Sequence, residues 1–198
     1  MRTVLCSAWP ALAGIFAGLL LGGAAAAGEV PHRCEAVFQG PVKGCDVLGT
    51  WTVSAAARGE EAARKAVTSR MSALMAVVAE ERALKAAGSP GSEGAAAMAK
   101  GCPEVAAANV RVVCYPEPQL VEDHLCFAQL RSPDCYRGSS LDIQGVGWKA
   151  LEKGRESICA AVELGLTEQR ATPLQQASCQ VECLQRAEVR CTPSGGGR

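Results

Sequence analysis

The sequence predicts an α+β protein made of two tandem duplicated, disulfide-stapled β-β-α-β modules. Three observations lead to this prediction. Four cysteines recur in the same order in two parts of the chain, each set begins with His-x-Cys, and each set ends with Cys-x-Pro. Strand-like and helix-like patterns also follow one another in the same order between the matched cysteines. Such recurrence at a fixed order is the signature of an internal repeat.

The two cysteine sets begin at Cys34 and Cys126, and each of these is preceded two residues earlier by one of the two histidines of the chain, His32 and His124. The third and fourth cysteines of each set are twelve residues apart, and a proline follows two residues later. The matched pairs are Cys34 and Cys126, Cys45 and Cys135, Cys102 and Cys179, and Cys114 and Cys191.

Residues 1–27 have the features of a secretory signal peptide. An early positive charge, Arg2, precedes an apolar stretch over residues 11–21, and the run Ala25-Ala26-Ala27 fits a cleavage site. The apolar stretch is shorter than the roughly 20 residues that span a bilayer. We therefore expect cleavage near Gly28, a periplasmic or extracellular location, and no transmembrane segment after cleavage. The bias toward alanine, glycine and arginine indicates a bacterium with a GC-rich genome.

Ten of the eleven cysteines remain once the signal peptide, with Cys6, is removed. Because thiols oxidise outside the cytoplasm, an even number predicts five structural disulfides. A core rich in alanine buries little apolar area per residue, so these bonds, each contributing roughly 2 to 4 kcal/mol, should supply missing stability. The predicted disulfide cysteines are Cys34, Cys45, Cys102, Cys114, Cys126, Cys135, Cys159, Cys179, Cys183 and Cys191.

Two of these cysteines, Cys159 and Cys183, have no counterpart in the first module, so we expect them to bond to each other. The four cysteines of each module allow three pairings, and the sequence does not select one. We favour local bonds with the same connectivity in both modules. The favoured bonds are Cys34 with Cys45, Cys102 with Cys114, Cys126 with Cys135, and Cys179 with Cys191.

The predicted domain organisation follows from these markers and from proline and glycine positions. Residues 31–118 form the first module, and residues 124–193 form the second. Residues 119–123, in a polar stretch that follows prolines, form the linker, and residues 194–198 form a disordered tail.

Alternation and helical spacing place the elements of the first module. Strands are predicted over residues 34–38, 47–57 and 110–115, and the longest helix over residues 60–87. A connection over residues 88–94 concentrates glycine and serine. A short helix over residues 95–100 is expected to break at Gly101-Cys102-Pro103, with a further helical turn to residue 108.

The second module repeats this order. Strands are predicted over residues 126–130, 140–144 and 188–191, and a helix over residues 148–164. Thr172-Pro173 marks the start of another helix, since a hydroxyl cap precedes a proline at the first helical position. At the offset that relates Cys135 to Cys45, Ile143 aligns with Val53.

Charge and motifs exclude several classes of function. Without Arg2, 19 basic residues face 20 acidic ones, so no strong field exists to attract nucleic acid. Two zinc sites, each with one histidine and three cysteines, would be chemically reasonable, but thiolate sites are uncommon in oxidising compartments and no CxxC pair occurs. We therefore expect no metal and no cofactor, and we expect His32 and His124 to be solvent-exposed.

We predict a non-enzymatic binding or envelope-structural protein, because no catalytic spacing is present and no catalytic residue can be assigned. Its partner would be an envelope or extracellular protein or a glycan. One alternative is an enzyme that uses carboxylates, although Glu60, Glu61, Glu80 and Glu81 fit a helix start and a solvent face better. Another is a secreted inhibitor with a reactive loop over residues 35–44. Trp51 and Trp148 could form an aromatic surface for a ligand, but they do not occupy equivalent positions in the two modules.

Overall fold

A computed structural model describes residues 29–87, 93–132, 135 and 140–195. Within these residues the chain forms an α+β fold with four helices and two three-stranded antiparallel sheets. The predicted signal peptide lies outside the described residues. Most of the predicted glycine-serine connection and the last three residues of the predicted tail also lie outside them.

The first half, residues 31–116, has the sheet order β2-β1-β3. Alternate residues of the central strand, Cys34, Ala36 and Phe38, are buried against the helices, which gives the sheet one packed face and one outer face. The elements are β1 (Pro31–Val42), β2 (Cys45–Arg58), α1 (Glu60–Ala86), α2 (Glu93–Asn109) and β3 (Arg111–Pro116).

The second half, residues 123–193, repeats this arrangement with the sheet order β5-β4-β6. The predicted helix start at Thr172 is present as a capping box with Gln175. A short 3-10 helix, Pro118–Val121, occupies most of the predicted linker and buries Leu120. The elements are β4 (Asp123–Gln129), β5 (Ser140–Val146), α3 (Gly147–Glu168), α4 (Pro173–Arg186) and β6 (Glu188–Pro193).

Each half therefore has a β-β-α-α-β order instead of the predicted β-β-α-β. In the first half, α2 continues through Pro103, where a break was expected. An interior proline costs a helix roughly 3 kcal/mol, so tertiary contacts must hold it. Cys102 is bonded to Cys45 at the start of β2, and Ala106 is fully buried in the first core.

The strand registers of the two halves match around the first cysteine. Cys34 lies opposite Ala55 on β2, and Cys126 lies opposite Ile143 on β5. Ile143 thus corresponds to Ala55, so the predicted alignment with Val53 is wrong. The reason is the length of the connection, since Cys45 precedes Ala55 by ten residues whereas Cys135 precedes Ile143 by eight.

Equivalent backbone hydrogen bonds close both sheets after the final strand. Glu117 N donates to Pro31 O over 2.7 Å, and Ser194 N donates to Asp123 O over 2.8 Å. Ser194, the first residue of the predicted tail, is therefore anchored to the start of β4.

The two halves share their apolar interior. The first core contains Phe38, Met71, Leu74 and Met75, and it also contains Val181 of α4, which is 8% exposed. A smaller apolar cluster lies where the two halves meet. This junction cluster contains Ala56 of β2, Leu120, and Leu151 of α3. The second core is built around Ile158, Val162 and Leu166 of α3. Helix α1 thus packs against α4, and α3 packs against β2.

A carboxylate also bridges the two halves. Glu81 of α1 accepts hydrogen bonds from Ser178 of α4 over 2.6 Å and from Lys85 over 2.8 Å. Burial alone would raise the pKa of Glu81, but the hydrogen bonds from Lys85 and Ser178 and the nearby positive charges lower it below 4.5.

Replacing Glu81 with glutamine should lower the free energy of unfolding by about 1 kcal/mol at pH 7. A carboxylate whose folded pKa is depressed contributes stability above its unfolded pKa, and this contribution is lost as the pH falls through the folded pKa. The difference between wild type and Glu81→Gln should therefore shrink below pH 4.5. Urea unfolding at pH 7 and at lower pH measures it, with the exposed Glu80→Gln as control. A difference independent of pH would contradict the assignment.

Candidate functional site

The ten cysteines of the predicted mature chain form five disulfides, of which four have equivalent connectivity in the two halves and the fifth lies in the second half. The predicted local pairing is wrong. Because β1 and β3 are neighbours, Cys34 lies directly opposite Cys114, whereas Cys45 lies at the start of β2 and reaches α2. The bonds are Cys34 with Cys114, Cys45 with Cys102, Cys126 with Cys191, Cys135 with Cys179, and Cys159 with Cys183.

The bond between Cys159 and Cys183 joins α3 to α4 in the second half. Five disulfides indicate an oxidising, extracytoplasmic compartment. They also leave none of these ten cysteines as a thiolate for the zinc sites considered above. Among the described residues no group of three histidine, cysteine, aspartate or glutamate side chains is arranged to hold a metal ion.

The two histidines occupy equivalent positions but differ in exposure. His124 is 2% exposed, so the expectation that it faces solvent is wrong, whereas His32 is half-buried. In each case Nδ1 lies 2.8 Å from the carbonyl oxygen two residues earlier. Gly147 makes room for His124, since a Cβ there would lie 2.7 Å from the ring nitrogen.

The acidic residues considered for catalysis do not form one site. Glu60 pairs with Arg64 on an exposed surface at the start of α1, and Glu81 contacts α4 near the other end. At a rise of about 1.5 Å per residue, roughly 30 Å of helix separates the pair Glu60 and Glu61 from Glu80 and Glu81.

The other sequence candidates lie in β1 and beside the apolar clusters. Most of residues 35–44, predicted as an inhibitory loop, belong to β1, with a turn at Lys43 and Gly44. Trp51 packs against the first core and donates to Leu48 O over 3.3 Å. Trp148 packs against the junction cluster, and Lys149 Nζ lies 5.3 Å from the centre of its ring.

A cleft of about 280 Å³ lies at the junction of the two halves. One wall is the edge strand β2, and the other walls are α3 and the end of α4. The disulfide between Cys159 and Cys183 contributes to its lining. Other lining residues include Glu35, Thr52, Ser54, Arg70, Arg155, Glu156, Leu184 and Ala187.

Side chains cap part of the β2 edge beside this cleft. Ala56 N donates to Glu152 Oε1 of α3 over 3.0 Å. Ser54 O accepts from Arg155 Nη1 over 2.6 Å and also from Arg70 of α1. These side chains take the place of a neighbouring strand, because the unpaired backbone groups of an edge strand otherwise need water or another partner.

Arg70 and Arg155 share the carboxylate of Glu152. Arg70 binds Oε2, and Arg155 Nη1 lies 3.3 Å from Oε1. The three side chains are 16% to 17% exposed. Burial lowers the pKa of Arg155 to about 10, and the positive charge of Arg70 acts in the same direction, against the attraction of Glu152. The cluster therefore holds two guanidinium groups and one carboxylate.

A second polar group lies on the outer face of the first sheet. Tyr115 donates to Glu35 Oε1 over 2.9 Å, and burial followed by this hydrogen bond raises the pKa of Tyr115. Arg33 donates from Nη2 to Glu117 Oε2 over 3.0 Å, and its Nε lies 2.9 Å from the other carboxylate oxygen. Because Glu35 also lines the cleft, this second polar group adjoins it.

The sequence did not identify Arg70, Glu152 or Arg155. The spacing of Glu152 and Arg155 permits an ion pair on one helix, but such pairs are common on solvent-exposed helices. No neighbouring residue indicates that this ion pair contacts the edge of β2, which lies about 100 residues earlier in the chain.

No known family model, curated protein or solved structure matches this chain. None of the described helices combines the length and apolar character needed to cross a membrane.

Proposed function

We propose that the chain is an exported, non-enzymatic binding protein whose ligand occupies the cleft between β2 and helices α3 and α4. The observation that carries this proposal is the arginine cluster in the cleft. Two guanidinium groups share one carboxylate beside a partly open strand edge. Concave sites with a few convergent polar groups are the usual place for ligands. This feature favours binding over a purely envelope-structural role.

The proposal includes an origin by tandem duplication and secretion by a bacterium. Duplication is supported by the matched disulfides, the matched registers at Cys34 and Cys126, and the equivalent closing hydrogen bonds. Secretion through a cleaved signal peptide, to the periplasm or the exterior, is supported by residues 1–27 and by the five disulfides.

The binding proposal can be tested by nuclear magnetic resonance on the ¹⁵N-labelled, exported protein. Its intact mass should lie ten hydrogens below that of the reduced chain starting near Gly28. Separate pools of short peptides, oligosaccharides and small organic acids are then titrated. We expect one pool to give saturable shifts at the amides of Thr52, Ser54 and Leu184, which line the cleft.

The variant Arg155→Gln should lose these shifts, whereas Arg64→Gln should keep them. Arg64 is a suitable control because it also pairs with a glutamate on a helix but lies on an exposed surface of α1. If no pool shifts the cleft amides, or if saturable shifts appear only elsewhere, the cleft is not the ligand site.

A further inference from the structure

We infer that the cleft receives the carboxyl-terminal end of an extended peptide, which pairs with the β2 edge at Thr52 and places its carboxylate on Arg155. This inference rests on the proposed binding function and adds the class of ligand. Addition of a strand to a sheet edge and capture of a terminal carboxylate are both recurring modes of peptide recognition.

The direction of the β2 backbone groups follows from the disulfide register. The Cα atoms of Cys34 and Cys114 are 4.1 Å apart, which is typical of the narrow pair that exchanges no backbone hydrogen bonds. The backbone groups of Cys34 therefore point toward Ala55 on β2. Because the pattern alternates, the backbone groups of Ser54 and Ala56 point away from the sheet, where they meet Arg155 and Glu152.

The same alternation directs the N–H and C=O of Thr52 away from the sheet. Thr52 lines the cleft, and in the described part of the chain no group hydrogen-bonds to its outward backbone atoms. Side chains therefore cover the outward backbone groups of Ser54 and Ala56, but none of the described side chains covers those of Thr52, the next outward-facing residue of β2. At about 280 Å³ the cleft is slightly smaller than pockets for drug-sized ligands, roughly 300 to 1,000 Å³, so it suits the end of a chain.

Two nitrogen atoms of Arg155, Nε and Nη2, can donate hydrogen bonds to the carboxylate of the ligand. Its hydrogen bonds to Ser54 O and Glu152 both use Nη1. No described residue accepts from Nε or Nη2, and neither atom is among the buried polar atoms without a partner. A guanidinium group binds a carboxylate in a forked geometry, and such charge-assisted bonds are about twice as strong as neutral ones.

The remaining lining residues restrict which carboxylate fits. Leu184 and Ala187 form an apolar wall that suits an aliphatic final side chain. Glu35 is held by Tyr115, and Glu156 is exposed, so both acids remain to repel acidic side chains elsewhere on the ligand. Charge complementarity therefore favours a peptide whose negative charge is its terminal carboxylate over an acidic segment.

The test uses acetylated pentapeptides that end in leucine, valine or isoleucine, prepared as free acids and as carboxyl-terminal amides. Calorimetric titration of the oxidised full chain should show that the free acids bind at least tenfold more tightly than the amides. Arg155→Gln should reduce binding of the free acid to about the level of the amide. Arg155→Lys, which keeps the charge but not the fork, should have an intermediate effect.

Thr52→Pro tests the strand pairing separately from the charge. It removes an outward N–H and leaves the hydrogen bonds to β1 intact, a placement that edge strands tolerate. The substitution should weaken the binding of both the free acids and the amides by about tenfold. Ser140→Pro is the matched control, since Ser140 holds the equivalent position on the edge strand β5. Retained amide dispersion in the labelled spectra would establish that each variant is folded.

The outcomes separate this inference from the proposed function. Equal affinity for acids and amides would indicate an internal peptide segment, and sodium acetate that competes as strongly as the pentapeptide would indicate a small acid. Either result overturns the inference. If no pentapeptide binds but another pool shifts the amide resonances of the cleft, the inferred class of ligand is wrong and the proposed binding function stands. If nothing shifts the cleft amides, the binding function itself fails.

Discussion

Glu152→Gln is expected to lower the free energy of unfolding by about 3 kcal/mol at pH 7. The substitution removes the carboxylate that Arg70 and Arg155 share while both guanidinium groups stay largely buried. It also replaces one oxygen that accepts from Ala56 N. Breaking a buried ion pair by removing one partner costs this much because the remaining charge loses its compensation.

Urea denaturation of the oxidised protein, followed by circular dichroism, measures this loss. Glu163→Gln is the matched control, since Glu163 lies on the same helix with its side chain in solvent, and it should change stability by less than about 0.5 kcal/mol. Equal effects of the two substitutions would show that Glu152 does not hold the junction together.

Removal of a cross-strand disulfide is expected to have an even larger effect, and nearly the same effect in each half. In the chain-entropy model, the bond between Cys34 and Cys114, with a sequence separation of 80, contributes about 4.5 kcal/mol. The bond between Cys126 and Cys191, with a separation of 65, contributes about 4.3 kcal/mol. The bond between Cys159 and Cys183, with a separation of 24, contributes about 3.4 kcal/mol.

Double alanine variants of the three pairs, compared by urea unfolding, test this order. Paired replacement avoids a lone thiol that could exchange with the remaining bonds. The variant without Cys159 and Cys183 serves as the internal reference, because its loop is the shortest. If its loss of stability exceeds that of the cross-strand variants, loop closure does not account for the contribution of these bonds, and the contact between α3 and α4 must dominate.

Local patterns in the sequence predicted the main elements well. The helix predicted over residues 60–87 is α1 (Glu60–Ala86), and its seven buried residues are apolar and lie at helical spacing. The strand predicted over residues 47–57 lies within β2 (Cys45–Arg58). Spacing and capping residues act between near neighbours, so a single sequence contains the information that sets these elements.

Long-range features could not be predicted in the same way. The pairing of Cys34 with Cys114 depends on β3 joining the sheet beside β1, and the continuity of α2 through Pro103 depends on contacts with the first core. The cleft depends on α3 meeting the edge of β2. Each of these features joins distant parts of the chain, and no pattern within one window of sequence reports such contacts.

The position of Val181 in the core of the first half has a consequence for the order in which the molecule can assemble. Leu184 packs against the same core, so the amino-terminal half takes part of its interior from the last helix of the chain. On the proposed export route the amino terminus emerges first. That half therefore lacks these side chains until nearly the whole polypeptide has emerged, which delays its folding and leaves its cysteines accessible to oxidation and exchange during transport.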